Sequence, residues 1–187
     1  MEELLGEVLR RSGEAGVHGL EHALRVMKWA LFLGKNVGAD LEVLSVAALL
    51  HDIVRDGEDH ALRSAEEARR ILLAHGYDEE FADRVYLAIR DHSYSSGRVP
   101  ETLEGKVLSD ADKLDALGFV GIARVFQYSG SHGRTIVESL EHIREKLLTL
   151  PQEMYLETSK VLAEWLVGRV EEFLDGITKE LQILDSF

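Results

Sequence analysis

The stretch Val43-Leu44-Ser45-Val46-Ala47-Ala48-Leu49-Leu50-His51-Asp52 decides how this chain folds. Its residues up to Leu50 are apolar except for one serine, and they predict a helix that is buried on all sides. An imidazole and a carboxylate at the end of such a helix are costly to bury unless a partner satisfies them. A bound cation would satisfy both, and the partial negative charge at the helix end favours one there. Taken alone, the pair is equally compatible with a helix end that faces water.

The composition is that of an ordinary globular protein. The chain has 187 residues, of which 45% are hydrophobic and 29% charged, which fits one domain with a sizeable core. It has no cysteine, which excludes disulfides and thiolate zinc sites. No apolar run reaches the length of a membrane span, and Met1-Glu2-Glu3 lacks the basic start of a secretory signal. We therefore expect a cytoplasmic protein that does not bind membranes.

The net charge of −13 restricts the partners of the protein. Such a surface repels the backbone of nucleic acids, so a broad nucleic-acid-binding face is not expected. A small anionic substrate remains compatible with the charge if a metal and a few arginines or lysines reverse the field inside a pocket.

The hydrophobic pattern predicts helices almost throughout, and we find no alternation typical of a sheet. Asp40 and Asp78 are predicted N-caps, and Gly76 is a predicted C-cap. The two prolines, Pro100 and Pro151, lie where the pattern breaks. The predicted helices are 2–12, 19–36, 40–53, 60–75, 78–92, 102–116, 118–130, 134–149 and 154–185.

A histidine pair precedes the central helix. His18 and His22 are four residues apart and share one helical face, with Arg25 on the same side. Such a pair can bind a metal, although two histidines without a ligand are the commoner case. The need of His51-Asp52 for a cation makes the pair a candidate for further ligands.

Three aspartates follow in the segment Leu108-Ser109-Asp110-Ala111-Asp112-Lys113-Leu114-Asp115-Ala116-Leu117-Gly118. A solvated acidic face is one interpretation, but the three do not share a face. On a helical wheel Asp110 and Asp115 flank the apolar stripe, whereas Asp112 points further away. Periodicity therefore mildly favours the neighbours of Asp112 as buried ligands.

The order of these elements resembles the HD-domain metal-dependent phosphohydrolases. The matching segments are His22-x-x-Arg25-Val26, Ala47-Ala48-Leu49-Leu50-His51-Asp52-Ile53 and Asp110 to Gly118. The similarity runs from about residue 18 to residue 124. It implies a single all-α HD domain over 1–187, a helical bundle with the motif core at about 18–124 and the C-terminal helices of 134–185 packed onto it.

The resemblance implies a ligand set of His22, His51, Asp52 and Asp112 for one divalent cation. The family's Ala-Asp context selects Asp112 against the helical wheel, with Asp110 as the reserve. Two imidazoles and two carboxylates suit a transition metal and leave positions open for water and substrate. Mn²⁺ is the expected ion, and Fe²⁺, Co²⁺, Ni²⁺, Zn²⁺ or Mg²⁺ would also fit.

Further roles follow from the same resemblance. In the similar stringent-response nucleotide hydrolases an acidic residue at the position of Asp56 helps to position water, although Asp56 is equally compatible with a surface loop. His92 is a candidate substrate contact or general acid, against a structural histidine at a helix end. The candidate substrate-binding residues are His18, Arg25, Lys113 and Arg124, and the histidines interpreted as structural or surface residues are His60, His75, His132 and His142.

The expected function is hydrolysis of a phosphoester or phosphoanhydride in a small, nucleotide-like substrate by a metal-activated water. Cleavage of a nucleoside triphosphate to monophosphate and pyrophosphate is implied by a similar subgroup of the family. The alternatives are a non-catalytic HD module that binds a nucleotide and signals, and a plain helical scaffold. The last helix is compatible with a homodimer contact.

Overall fold

The computed structural model describes residues 2–12, 18–55, 59–93 and 97–184. All regular structure in these ranges is helical, so the prediction of an all-α fold is confirmed. The helices are α1 (Glu2–Ser12), α2 (Leu20–Val37), α3 (Leu41–Leu50), α4 (His60–Ala74), α5 (Glu79–Arg90), α6 (Leu103–Asp115), α7 (Gly118–His132), α8 (Ile136–Lys146), a 3₁₀ helix (Leu147–Glu153) and α9 (Glu157–Leu184).

The chain divides into two compact units, Met1–Asp112 and Lys113–Phe187. The boundary falls inside α6, directly after Asp112. The expectation of a single domain over 1–187 stays a prediction. None of the helices in the described ranges combines the length and the apolar character that a membrane crossing requires.

Helix α3 is the central element of the first unit and packs against α1, α2, α4 and α5. It begins at the predicted N-cap Asp40, whose carboxylate accepts hydrogen bonds from the backbone N–H groups of Glu42 (2.9 Å) and Val43 (3.2 Å). It ends at Leu50, three residues before the predicted end at residue 53. His51 is the C-cap, so Asp52 lies on the segment that leaves the helix.

Helix α4 is tied to this departing segment through Ser64. The fully buried Ser64 hydroxyl accepts from the backbone N–H of Val54 and donates to the carbonyl of Val54, both at 3.1 Å. His60 lies one turn before Ser64 and therefore on the same side of α4. The anchoring of Ser64 directs His60 towards the region of Asp52.

The other predicted caps have clear structural roles. Asp78 caps α5 by accepting a hydrogen bond from the backbone N–H of Phe81 at 2.9 Å. Gly76 follows the C-cap residue His75 and has a φ of +79°, a conformation that glycine adopts without steric cost. In the second unit α8 ends at Lys146, and Pro151 lies within the 3₁₀ helix that continues the chain. The predicted helix 134–149 is thus shorter, because its last turn winds more tightly.

Gly121 in α7 allows a close approach to the backbone. A Cβ atom at this position would overlap the carbonyl group of Ala116. We expect Gly121→Ala to lower the free energy of unfolding by about 1–3 kcal/mol, because backbone must move. Gly130→Ala is the control in the same helix, where nothing lies within 4 Å of the added methyl group. It should raise stability by up to about 1 kcal/mol. Urea denaturation of both variants tests the pair, and equal effects would contradict the close approach.

Glu67 of α4 binds two arginines. Its carboxylate accepts from Arg70 at 2.6 and 2.8 Å and pairs with Arg11 of α1 at 2.5 Å. The hydrogen bonds from Arg70, and then from Arg11, outweigh partial burial and lower the pKa of Glu67 to about 2. The resulting stabilisation is present above the unfolded pKa of about 4.5 and is lost as the pH falls towards 2.

Glu67→Gln should therefore lower the free energy of unfolding at pH 7 by about 1 kcal/mol, after allowance for solvent screening. The difference from the unsubstituted protein should narrow as the pH falls from 5 to 3. Urea titrations across this range measure it, with the exposed neighbour Glu66→Gln as the control. A difference that stays constant with pH would contradict the ion-pair account.

Candidate metal centre

His51 is oriented by the last turn of α3. Its Nδ1 donates a hydrogen bond to the carbonyl of Ala48 at 2.8 Å, so in the neutral ring Nε2 carries a lone pair. That Nε2 lies 3.2 Å from Nε2 of His22 in α2. Both imidazoles are almost completely buried. Two buried nitrogens that face each other at this distance need a shared proton or a cation between them.

Two carboxylates converge on the same point. Asp112 Oδ1 lies 3.4 Å from Nε2 of His22 and 3.9 Å from Nε2 of His51. Asp52 Oδ2 lies 3.7 Å from each of the same two nitrogens. The structure thus brings His22, His51, Asp52 and Asp112 together, from α2, the end of α3 and α6.

This donor set fits one divalent cation. Ligand atoms that share a transition metal at about 2.1 Å lie about 3–4 Å apart, as these do. His51 also has the hydrogen bond from its other nitrogen to a carbonyl that metal-bound histidines usually make. The candidate ligand groups in the described ranges are His22-His51-Asp112, His18-His22-Asp52 and His51-Asp52-His92. Asp110 is in none of these groups.

The electrostatics of the centre favour ionised carboxylates. Burial would raise the pKa of Asp112, but the adjacent His22 and His51 outweigh it and hold that pKa well below its usual range. Burial opposes ionisation of Asp52 as well, and His51 with a hydrogen bond from His18 again leaves its pKa well below the usual value. Both carboxyl groups are therefore ionised at neutral pH.

Asp52 is held in a closed ring of hydrogen bonds. Arg55 donates to Asp52 Oδ1 at 2.7 Å and to His18 Nε2 at 2.9 Å. Because a guanidinium can only donate, His18 Nε2 is an acceptor and Nδ1 carries the hydrogen. His18 Nδ1 then donates to Asp52 Oδ2 at 3.0 Å. The ring fixes the plane of the carboxylate, with Oδ2 towards the histidines and Oδ1 towards Arg55.

Two further histidines border the cluster. His92 is buried and donates from Nδ1 to the carbonyl of Ile89 at 2.7 Å, and its ring centroid lies 5.1 Å from that of His51. Burial, with the nearby His51, lowers the pKa of His92 to about 4. The Nε2 lone pair of such a neutral imidazole can bind a cation. The role considered for His92, a substrate contact or general acid, stays a prediction. His60 Nε2 lies 3.9 Å from Asp52 Oδ1.

Three of the remaining predicted site residues are in α2, α6 and α7. Arg25 is half-buried in α2, three residues after His22. In the second unit the ammonium of Lys113 donates to the carbonyl of Glu153 at 2.8 Å, and Arg124 pairs with Asp115 at 2.9 Å. The proposed roles of Arg25, Lys113 and Arg124 in substrate binding stay predictions. Asp56 falls outside the described residues.

Arg55 and His60 are the neighbours of the centre that sequence reasoning did not single out. For Arg55 a signal exists, because a position three residues after Asp52 can reach back to its carboxylate if the chain stays compact. His60 had no comparable signal, since its approach depends on how α4 folds back through Ser64.

The identity of the fourth ligand can be tested by metal binding. Asp112→Ala should reduce Mn²⁺ affinity by about 100-fold or more, because outer-shell partners alone are worth about 10–100-fold. Asp110→Ala is the matched control in the same helix. It should keep the ion but lower the unfolding temperature, since Asp110 is fully buried. Calorimetric titration with Mn²⁺ measures both, and loss of the ion in the Asp110 variant alone would assign the ligand to Asp110.

Comparisons with known proteins show the family of this chain. The family model for the HD domain matches residues 19–117. The chain is 32% identical over 182 residues to protein YpgQ of Bacillus subtilis strain 168, covering 92% of this chain and 89% of YpgQ. The crystal structure of YpgQ in complex with ADP shows 32% identity and a TM-score of 0.80, over 96% of each chain.

An HD-superfamily hydrolase from Bacillus thuringiensis is similar in structure, with 31% identity and a TM-score of 0.76 over 97% of this chain and 96% of that one. HD domains bind divalent metals, and HD-superfamily hydrolases are generally metal-dependent phosphohydrolases. The matched region contains both imidazoles and both carboxylates of the centre described above. This chain belongs to the HD-domain family.

Proposed function

We propose that the protein is a metal-dependent phosphohydrolase that cleaves a phosphoester or phosphoanhydride bond of a small nucleotide-like substrate. The observation that carries this proposal is the convergence of His22, His51, Asp52 and Asp112 on one point. The Asp112 side chain is 32% exposed while the others are buried, so the centre has an open side for water and substrate. A closed structural site would have no such opening.

The proposed substrate class is a nucleotide with at least two phosphates. This extends to the present chain what is known of YpgQ, which was crystallised with ADP and is 32% identical. Within this class we favour cleavage of a nucleoside triphosphate to monophosphate and pyrophosphate. The preference for Mn²⁺ as the ion rests on the same family resemblance.

Different residues of the centre would have different roles in this reaction. A divalent cation bound at the centre would lower the pKa of a water molecule and polarise the phosphorus–oxygen bond. His22 and His51 present lone pairs, and the two carboxylates supply the negative charge that holds a cation. His92, neutral and buried, is suited to add a further ligand through its Nε2 lone pair.

The open side of the centre also carries a guanidinium and two imidazoles. Arg55 and His18 are about one-third exposed, and Arg55 keeps N–H groups beyond those bound to Asp52 and His18. His60 lies beside the same carboxylate and is 21% exposed. We propose that these three groups contact substrate phosphate, which a protein of net charge −13 would otherwise repel.

A panel of nucleoside mono-, di- and triphosphates and simple phosphate esters with Mn²⁺ tests the function. We expect turnover of one nucleotide class, with phosphate and pyrophosphate release scored separately. His51→Ala and Asp52→Ala should each reduce kcat/KM by about 100-fold or more. Removal of the metal by a chelator should abolish turnover, and added Mn²⁺ should restore it.

His75→Ala is the control, because His75 is an exposed histidine that belongs to none of the candidate ligand groups. It should keep the activity of the unsubstituted protein. If the His51→Ala and Asp52→Ala variants are as active as the unsubstituted protein, the proposed centre is wrong. Tight nucleotide binding without turnover for any substrate would instead favour the non-catalytic nucleotide-binding module.

A further inference from the structure

Arg98 connects two chain segments beside the metal centre. Its guanidinium donates to both carboxylate oxygens of Asp59, at 2.9 Å from Nη1 and 2.5 Å from Nη2. Its Nε lies 3.0 Å from Oδ1 of Asp91, an ion pair in which these two atoms do not have the geometry of a hydrogen bond. One side chain thus spans the N-cap of α4 and the C-cap of α5.

Each of these aspartates directly precedes a histidine of the centre. Asp59 is followed by His60, whose Nε2 lies 3.9 Å from Asp52 Oδ1. Asp91 is followed by His92, which faces His51 across 5.1 Å between ring centroids. The rings of His60 and His92 meet edge to face, with 6.0 Å between their centroids.

Asp59 has an unfavourable backbone conformation and Asp91 has a buried carboxylate, so both residues depend on neighbouring groups for stabilisation. Asp59 has a φ of +52° and is the one non-glycine residue with positive φ in the described ranges. Such a conformation persists only where the surrounding structure holds it. Asp91 is 2% exposed, and its Oδ2 binds Arg90 while Oδ1 faces Arg98. A buried carboxylate is stable only with charged partners of good geometry.

We propose that Arg98 is a positioning residue of the metal centre: through Asp59 and Asp91 it fixes the two backbone positions that aim His60 and His92 at the ligands. It acts because a planar guanidinium can hold two carboxylates in a fixed relation, which a lysine cannot. The kinetic part of this inference rests on the proposed hydrolase function.

The test compares Arg98 with an arginine that has the same structural role away from the centre. Arg84 donates to Asp40 at 2.7 Å, and Asp40 is the N-cap of α3, at the opposite end of that helix from His51. Arg98→Ala and Arg84→Ala should lower the unfolding temperature similarly. Only Arg98→Ala should reduce kcat, by about tenfold, with little change in KM. Arg98→Lys should recover stability but not kcat.

A second readout does not need activity. In ¹H–¹³C spectra of the metal-free protein, which has eight histidines, Arg98→Ala should shift the ring signals of His60 and His92. Arg84→Ala should leave both signals in place. Unchanged signals in Arg98→Ala, or a loss of kcat no larger than that of Arg84→Ala, would overturn the inference.

A double-substitution cycle separates positioning from general damage. In a His60→Ala background, Arg98→Ala should lower kcat by a clearly smaller factor than in the unsubstituted protein, because one of the side chains that Arg98 positions is already absent. Fully additive losses would count against the inference. If the unsubstituted protein hydrolyses no nucleotide, the proposed function fails, while the histidine signals still decide the role of Arg98.

Discussion

The hydrogen bond from His51 Nδ1 to the carbonyl of Ala48 is the constraint on which the centre depends. It is possible because α3 ends at Leu50, so that the ring can turn back onto the last helical turn. With Nδ1 occupied, Nε2 is directed at His22 and the two carboxylates. The apolar run that buries α3 thereby also fixes the direction of the His51 ring. The packing of the core and the geometry of the site therefore have the same cause.

One side of the centre is buried, whereas the other is charged and partly exposed to solvent. On one side, His22, His51 and His92 are buried. His51 donates a hydrogen bond to the carbonyl of Ala48, and His92 donates one to the carbonyl of Ile89. On the other side, the charged groups of Arg55 and His18 hold Asp52, and Asp112 reaches solvent. Burial of the imidazoles is thus combined with solvent access at Asp112.

Much of this could be predicted from local patterns. The buried helix α3, the caps Asp40 and Asp78, and the all-α fold follow from hydrophobic periodicity and from side-chain hydrogen bonding that involves neighbouring residues only. The helical wheel was less informative for Asp112, because it ranks positions by their distance from the core stripe. In this fold the centre opens towards solvent, so a partly exposed aspartate faces the histidines while the buried Asp110 does not join the ligand groups.

The contributions of His60 and Arg98 could not be predicted, because they depend on residues distant in sequence. His60 approaches Asp52 where Ser64 of α4 is anchored on Val54, and Arg98 reaches back 39 residues to Asp59. Neither contact leaves a periodic signal in the chain. The predicted end of α3 at residue 53 was also too late, since the helix stops at Leu50 and His51 is its C-cap.

The ring formed by Arg55, Asp52 and His18 has a consequence for how this protein can vary. Arg55 donates to both other members, His18 accepts from Arg55 and donates to Asp52, and Asp52 only accepts, so a change at one position removes hydrogen bonds from the other two side chains. A single substitution at any of these positions is therefore expected to destabilise the protein until the other positions change as well. Drift along this part of the sequence is expected to proceed by paired or triple exchanges, which slows it relative to the exposed helix faces nearby.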